Sequence, residues 1–292
     1  WVIRKTLLFG EVALDGNGPP AILQALSLHL SPITQLAMIG RHYNYEYEAP
    51  LGKAFGSTSH NRAETGLYIT LQHIFSRSVE GGVYFDYYLL HTPTYRLDAP
   101  VQALDFGSHL LWRMGRYNAL KLSYAFRDKP TNRSDDIHYK RIRDLHTHRL
   151  QVLWQYNPSK RANCKTGMIW QMSSYSSPKE QYQGVLLYQD LSFKWWNDRI
   201  ALHLRAAYFD TDRYDERLYA YEDDVYYAFT IGSYYYQGIR GYAVLRFKYR
   251  FLSLWLRLSR THYLNKDCVG SGLSEIDKPH KTELRVQMMW SW

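Results

Sequence analysis

The sequence contains no apolar stretch long enough to form a transmembrane helix. Such a helix needs about 20 consecutive apolar residues, whereas the apolar runs here are soon broken by Arg, Lys, Gln or Ser. Cysteine is also scarce: with only Cys164 and Cys268 the chain cannot be a disulfide scaffold, and we expect both thiols to be unpaired. The glycine patterns of phosphate loops and dinucleotide-binding turns are absent. These absences exclude an α-helical membrane protein and remove the sequence basis for a nucleotide-binding enzyme.

Aromatic and basic residues are abundant instead. Among 292 residues there are 27 Tyr and nine Trp, and 46% of the chain is hydrophobic although its mean hydropathy is −0.45. Lys and Arg number 36 against 27 acidic residues, which gives a formal net charge of +9. This charge implies attraction to polyanions, which include nucleic acid, anionic lipid headgroups and acidic solutes, and charge alone does not choose among them.

The dominant hydrophobic period is two, the period of a β-strand. Leu245 and Phe247, for example, alternate with Arg246 and Lys248. The alternating segments match the roughly 9 to 11 residues of a strand that crosses a bilayer. They predict about sixteen strands, with fourteen to eighteen compatible with the boundaries, near residues 6–15, 20–31, 33–44, 64–75, 81–92, 102–114, 118–128, 146–157, 163–175, 183–195, 199–211, 215–222, 225–236, 240–251, 253–264 and 282–292.

The connections between these segments alternate in length. Short turns such as Asp223-Asp224 and Leu252-Ser253 separate longer links, notably 45–63, 93–101, 129–145 and 265–281. Outer-membrane barrels combine short periplasmic turns with longer outside loops in this way. Two outside links, 15–19 and 238–241, are short exceptions.

The strand lengths distinguish a membrane barrel from a soluble sandwich. Strands of soluble sheets are most often about five or six residues long, half the length found here, and Tyr and Trp near the strand ends are typical of interfacial girdles. The sequence therefore predicts an all-β, antiparallel, up-and-down transmembrane barrel in the bacterial outer membrane, with residues 1–292 as one domain.

The two ends of the chain carry further expectations. The last segment alternates apolar and polar residues up to Trp290 and Trp292, and this pattern resembles the signal that outer-membrane barrels present to their assembly machinery. The chain opens at Trp1 without Met or a leader, so we expect a processed protein or the C-terminal part of a longer one.

Several short motifs distributed over most of the chain carry a family resemblance. They are residues 9–15 (FGEVALD), 41–43 (RHY) followed by 54–56 (AFG), 217–224 (RLYAYEDD), 238–242 (GIRGY), 255–257 (WLR) and 270–276 (GSGLSEI). The chain resembles a family of Bacteroidota outer-membrane β-barrels whose longer members carry a helix-hairpin-helix region like that of the competence protein ComEA. The resemblance implies the barrel fold and the outer-membrane location. The ComEA-like region, which is absent from this sequence, suggests DNA handling.

Basic residues dominate the face that the strand register turns inward. Arg246, Lys248 and Arg250 fall on alternate positions of one segment, beside Arg257 on the next, and Arg205 and Lys121 share the polar face. Guanidinium groups in a narrow space bind phosphates or carboxylates, so these six residues are the predicted anion-binding site of the lumen. The alternative is that internal ion pairs fill a closed barrel.

The long loop 129–145 carries Lys140, Arg141 and Arg143, which we expect to contact polyanions such as lipopolysaccharide phosphates or DNA. A catalytic constellation is not apparent: Ser108 and His109 are adjacent and so point to opposite faces of a strand. The sequence predicts no cofactor and no metal site; solvated charge is the favoured interpretation of the acidic loop Asp210, Asp212, Asp215 and Glu216.

Together these features favour a non-enzymatic channel or translocation component with a basic lumen, for DNA or another polyanion. The alternative is a non-conducting structural or assembly subunit of a larger outer-membrane complex, and a barrel hydrolase is the least favoured. The expected partners are outer-membrane lipid, lipopolysaccharide, the barrel assembly machinery, and DNA or other complex subunits.

Overall fold

The computed structural model describes residues 2–3, 5–14, 18–48, 53–58, 61–94, 97–132, 142–176, 178–270 and 272–291. Strands make up nearly all of the regular structure. In chain order they are β1 (Val2–Ile3), β2 (Thr6–Ala13), β3 (Ala21–Ser31), β4 (Thr34–Tyr43), β5 (Glu64–Ile74), β6 (Val79–Leu90), β7 (Val101–Met114), β8 (Asn118–Asp128), β9 (Thr131–Asn132), β10 (Ile142–Arg143), β11 (Leu145–Ser159), β12 (Ala162–Ser176), β13 (Lys179–Trp195), β14 (Ile200–Thr211), β15 (Leu218–Glu222), β16 (Thr230–Tyr234), β17 (Gln237–Tyr249), β18 (Leu252–Tyr263) and β19 (His280–Trp290). No helix among the described residues is both long and apolar enough to cross a membrane.

The main sheet has up-and-down topology, with each strand hydrogen-bonded to its neighbours in the chain. Its order is β1-β2-β3-β4-β5-β6-β7-β8-β11-β12-β13-β14-β17-β18-β19. Apart from the two-residue β1, these are fourteen strands of eight residues or more, and each coincides with a predicted segment to within a few residues. The predicted fold class is therefore confirmed.

Two of the sixteen predicted strands do not belong to this sheet. The segments predicted at 215–222 and 225–236 contain β15 and β16, which pair only with each other, while β14 pairs directly with β17. Their alternation is genuine, because Leu218, Ala220 and Glu222 are buried and Tyr219 and Tyr221 are exposed. The period of two identified strands correctly but could not show which partner each strand would take.

This correction also restores the alternation of loop lengths. Residues 238–241, predicted to be a short outside link, lie inside β17, and the true link between β14 and β17 runs from 212 to 236. Asp223-Asp224, predicted to be a short turn, lies within that link. The short turn after β17 consists of Arg250 and Phe251, because Tyr249 pairs with Leu252.

Burial along the strands is inverted relative to a soluble protein. In β18 the apolar Leu254, Leu256 and Leu258 are exposed, whereas Ser253 and Arg257 on the opposite face are buried. Leu258 is 50% exposed and Arg257 0%. Exposed apolar side chains on one face and enclosed polar side chains on the other are the pattern of a strand whose apolar face meets lipid.

The chain divides into two compact units, each with its own buried cluster. The first comprises residues 1–112, 123–149 and 173–181, and the second 113–122, 150–172 and 182–292. In the first unit, Tyr88, Leu90, Leu97, Val101 and Ala103 pack together. In the second, the buried cluster joins the sheet to the 212–236 link and consists of Ile169, Leu186, Ala207, Phe209, Leu218, Ala220, Tyr234, Tyr263 and Val269.

Both cysteines are free, as predicted: Cys164 is half-buried and Cys268 is exposed.

Candidate functional site

The candidate site lies in the second unit, on the polar face of β14, β17, β18 and β19. Antiparallel pairing places Val244, Arg257 and Arg285 opposite one another on three successive strands. Arg205 of β14 pairs with Tyr242 of β17. Residues directly opposite in antiparallel strands share a face, so the register gathers Arg205, Arg240, Arg257 and Arg285 on one surface. We call this surface the covered face and these four residues the arginine cluster.

The 212–236 link folds onto the covered face as a β-hairpin of β15 and β16. One side of this hairpin is apolar at its base, where Leu218 and Tyr234 pack with Phe209 of β14. The rings of Phe209 and Tyr234 meet edge to face, with centroids 5.5 Å apart. The ring of Tyr226 stacks on Trp255 of β18 at 5.2 Å. Apolar packing therefore holds the hairpin at both its base and its turn.

Glu222, at the end of β15, is the central acceptor of the site. Arg240 donates to it from Nε at 2.7 Å and from Nη2 at 2.9 Å, and Arg257 donates from Nη2 at 2.6 Å. The hydroxyl of Tyr234 donates a further hydrogen bond of 2.7 Å. The side chains of Glu222 and Arg257 are both inaccessible to solvent. A buried carboxylate is tolerated because charged donors surround it.

The two acidic residues after Glu222 contact the same face. Asp224 pairs with Arg285 and lies 3.7 Å from Nε of Arg257. Asp223 lies 3.3 Å from Nδ1 of His203, and its backbone N–H donates to the hydroxyl of Tyr242. The hydrogen bond with His203 lowers the pKa of Asp223, which lies in the link and outside the membrane-spanning strands, and outweighs the opposite effect of burial. We call Glu222, Asp223 and Asp224 the acidic tip.

Arg205 forms hydrogen bonds both with a neighbouring strand of the main sheet and with the hairpin. Its guanidinium donates to Asp190 of β13 from Nε at 2.5 Å and from Nη2 at 2.6 Å. Its Nη1 donates to the backbone oxygen of Tyr221 at 2.7 Å. The planar group also lies over the ring of Tyr188 at 4.4 Å, an arrangement that guanidinium favours over ammonium.

The structure divides the predicted lumen residues into four groups. Arg205 and Arg257 belong to the arginine cluster, buried and paired. Arg246 and Lys248 lie on the covered face nearer the turn, where Arg246 donates to the backbone oxygen of Asp198. Arg250, predicted to continue the ladder, instead lies in the turn with φ 50° and its guanidinium over the ring of Tyr249. Lys121 is exposed on β8.

The loop and terminal predictions have mixed outcomes. Lys140, Arg141 and Trp292 lie outside the described residues. Arg143, predicted to be a loop contact for polyanions, is buried, stacks over Tyr175 at 3.9 Å and donates to Glu180. Its charge is thus already engaged within the protein. Trp290 is exposed on the apolar face, with its ring 4.2 Å from that of Phe251.

Sequence reasoning missed Arg240, Arg285 and the acidic tip. Arg240 and Arg285 have the same strand parity as the predicted residues and could have been found by extending the alternation. The acidic tip could not, because it had been assigned to a turn at the far end of the barrel. Within the described residues, no group of three or more His, Cys, Asp or Glu side chains could hold a metal ion.

In the first unit, the carboxylates that neutralise the arginine charges come from a different part of the chain than in the second unit. Arg41 of β4 donates to Glu64 of β5 at 2.5 Å and to Asp86 of β6 at 2.8 Å. Arg127 of β8 pairs with Asp105 of β7 at 2.8 Å. In this unit the carboxylates are therefore carried by strands of the main sheet, whereas in the second unit the acidic tip is carried by a link.

No family model matches the sequence, and no curated protein matches it. Solved structures do share its fold. The ferric enterobactin receptor PfeA of Pseudomonas aeruginosa, as a variant, aligns with 97% of this chain and 59% of its own length, at a TM-score of 0.51 and 10% identity. The fold is that of an outer-membrane β-barrel. This agrees with the apolar outer faces of the strands and confirms the bacterial outer membrane as the location.

Other solved outer-membrane proteins align less closely. The siderophore receptor PirA of Acinetobacter baumannii has a TM-score of 0.47 and 9% identity over 98% of this chain and 58% of its own. A FadL homologue of P. aeruginosa has a TM-score of 0.38 and 9% identity over 92% and 76%. The chain thus spans a little under three fifths of the two receptors that it matches.

Proposed function

We propose that the chain is a non-enzymatic outer-membrane channel or translocation component whose interior attracts anions and is closed, in the second unit, by the hairpin. One observation carries this proposal: the charge borne by the strands is basic, and a link supplies most of its compensation. Among the described residues on the covered face and on the adjoining polar face of β13 (184–195), Asp190 and Glu283 are the acidic ones. The basic ones are Lys194, Arg205, Arg240, Arg246, Lys248, Arg257, Lys281 and Arg285.

The placement of the carboxylates favours a channel over a permanently filled barrel. A barrel filled for structural reasons is stable with ion pairs between neighbouring strands, as Arg41, Glu64 and Asp86 show in the first unit. In the second unit, movement of a single link would leave a wide basic surface facing the interior. Charged surfaces in confined, low-dielectric spaces concentrate ions of the opposite sign.

The second candidate function is a non-conducting structural or assembly subunit. The complete burial of Glu222 and Arg257 favours it, because a network without solvent resembles a fixed core more than a pore lining. The partners proposed for either function are outer-membrane lipid, lipopolysaccharide, the barrel assembly machinery, and DNA or other subunits of a complex. The proposal of DNA rests on the resemblance to the Bacteroidota family and on the net charge of +9.

Conductance in planar bilayers separates the two functions. We expect a variant in which residues 213–235 are replaced by a short Gly-Ser link to conduct more than the full chain and to prefer anions. In this open form, replacement of Arg246 and Lys248 by Gln is expected to lower the anion-to-cation permeability ratio by about twofold or more, because a fixed charge acts on ions that pass within about one Debye length, roughly 10 Å at 0.1 M salt. The readout is the reversal potential in a salt gradient.

The matched control removes two positive charges elsewhere. Arg62 forms an exposed ion pair with Glu48 in a loop, and Arg260 is exposed on the face of β18 opposite to the covered face. The double variant Arg62→Gln/Arg260→Gln is therefore expected to leave the reversal potential unchanged. If neither the full chain nor the shortened variant passes current, the channel is wrong and the structural subunit is favoured.

A further inference from the structure

We infer that the arginine cluster is a binding site for a phosphate-bearing polyanion, and that the acidic tip occupies it as an internal substitute for that ligand. This inference rests on the proposed function, since it names the ligand class of the same surface. Arg205, Arg240, Arg257 and Arg285 come from four different strands, and the hairpin contacts all four.

The hydrogen-bond geometry is suited to phosphate. Arg240 holds Glu222 with two parallel N–H donors, at 2.7 and 2.9 Å, the fork that matches carboxylate and phosphate alike. Arg257 adds a third donor from the sheet, whereas the fourth donor, the hydroxyl of Tyr234, belongs to the hairpin and leaves with it. A terminal phosphate offers three acceptor oxygens and up to two charges, so it accepts from the three guanidinium donors at least as well as a carboxylate does.

The charge of the site also requires a polyanion once the acidic tip is absent. Asp190, on the neighbouring strand β13, pairs with Arg205, and Glu283 pairs with Lys281. The other three members of the cluster take their carboxylate contacts from Glu222 and Asp224. Withdrawal of the tip removes these carboxylate contacts from three adjacent guanidinium groups, and one monovalent anion cannot replace them.

The hairpin is packed against the covered face on one side only, which allows it to detach locally. Its packed side faces the sheet, whereas Tyr219, Tyr221 and Ile231 on the other side are exposed. At its turn Tyr227 is 85% exposed and Phe229 is also exposed. A segment held on one side only, and joined to the barrel through links at its two ends, opens locally at a lower free energy than the strands beneath it.

Binding of tripolyphosphate to the full chain in detergent micelles, measured by titration calorimetry, tests the inference independently of conduction. The double variant Glu222→Gln/Asp224→Asn removes the two carboxylate charges that face Arg240, Arg257 and Arg285 but keeps the shape of the tip. If the site is free in about a tenth of the molecules, these changes are expected to lower the apparent Kd about tenfold. The matched control is Asp215→Asn, which removes a charge from an exposed position of the same link and is expected to leave the Kd unchanged.

A second variant tests the case in which the double variant does not fold. Leu218→Asn loosens the apolar base of the hairpin and leaves every charge in place, and it is also expected to tighten binding. Folding of each variant is checked by heat-modifiable gel mobility. The inference is overturned if tripolyphosphate does not bind, or if it binds the full chain and both hairpin variants with equal affinity. If both variants bind tripolyphosphate more tightly than the full chain but no current is measured, only the channel function is overturned.

Discussion

At the scale of single residues, the protein buries charge by surrounding each carboxylate with donors. Glu64 accepts from Arg41 and also from the backbone N–H and hydroxyl of Ser57 and the backbone N–H of Thr58. Arg41 in turn lies between the rings of Phe55 and Tyr88. Each guanidinium nitrogen of Arg41 and each carboxylate oxygen of Glu64 and Asp86 has a hydrogen-bond partner, which is the condition for burying charge without a large loss of stability.

Removal of Arg41 is therefore expected to be costly. Arg41→Met leaves Glu64 and Asp86 buried without their guanidinium, and the expected loss in the free energy of unfolding is about 3 to 5 kcal/mol. The exposed pair of Arg62 and Glu48 is the comparison, since Arg62→Met should cost less than about 1 kcal/mol. Urea unfolding in lipid vesicles measures both, and equal losses would contradict the role given to burial.

At the scale of elements, the hairpin depends on a close approach between β16 and the acidic tip. A Cβ atom on Gly232 would lie 2.2 Å from Oε1 of Glu222 and 2.7 Å from its Cδ. Glu222 cannot easily move aside, because Arg240, Arg257 and Tyr234 fix it from three directions. Glycine at position 232 is thus required by space and not by backbone conformation.

Gly232→Ala is expected to loosen the docked hairpin without disrupting the strands. An overpacked contact costs about 1 to 3 kcal/mol, so chymotrypsin should cleave at the hairpin aromatics about tenfold faster or more. The control is Gly241→Ala in β17, where the added Cβ would be 3.4 Å from the backbone oxygen of Arg205. If the Gly232→Ala variant forms an intact barrel and its hairpin is cleaved at an unchanged rate, then Glu222 has room to move away from the added methyl group.

At the scale of the whole molecule, the last three strands of the main sheet each separate an apolar face from a polar one. Leu245, Leu256 and Val286 form one row across β17, β18 and β19, and all three are exposed. In an outer-membrane barrel this row faces the hydrocarbon interior of the bilayer.

The position of a substitution along this face should decide its effect. Leu256→Arg, at the middle of β18, is expected to reduce the folding free energy in bilayers by about 2 to 4 kcal/mol. His262→Arg, on the same face near the end of the strand, should cost no more than about 1 kcal/mol. Denaturant titrations of folding into vesicles provide the measurement. Similar costs at the two positions would argue against a lipid boundary that crosses β18.

The fold could be predicted almost completely from the sequence, and the site only in part. Period two locates a strand and its two faces, which is why fourteen strands were predicted correctly and why Arg205 and Arg257 were assigned to the same polar face, where both are buried. It carries no information about pairing partners, so β15 and β16 were assigned to the barrel. The alternation of β15 and β16 has the same form as that of a barrel strand. It does not show whether one face of the strand meets lipid or packs against the covered face. The acidic tip was misplaced for that reason, and with it the charge compensation of the cluster.

The position of the acidic tip in the chain has a consequence for the order in which the protein matures. The tip precedes the strands that carry most of its partners: Glu222 is separated from Arg257 by 35 residues and Asp224 from Arg285 by 61. These contacts cannot form until β17, β18 and β19 have been laid down, and such distant contacts are slow to close. We therefore expect the acidic tip to close only after the last strand has paired, so that its closure reports that β17, β18 and β19 are in place.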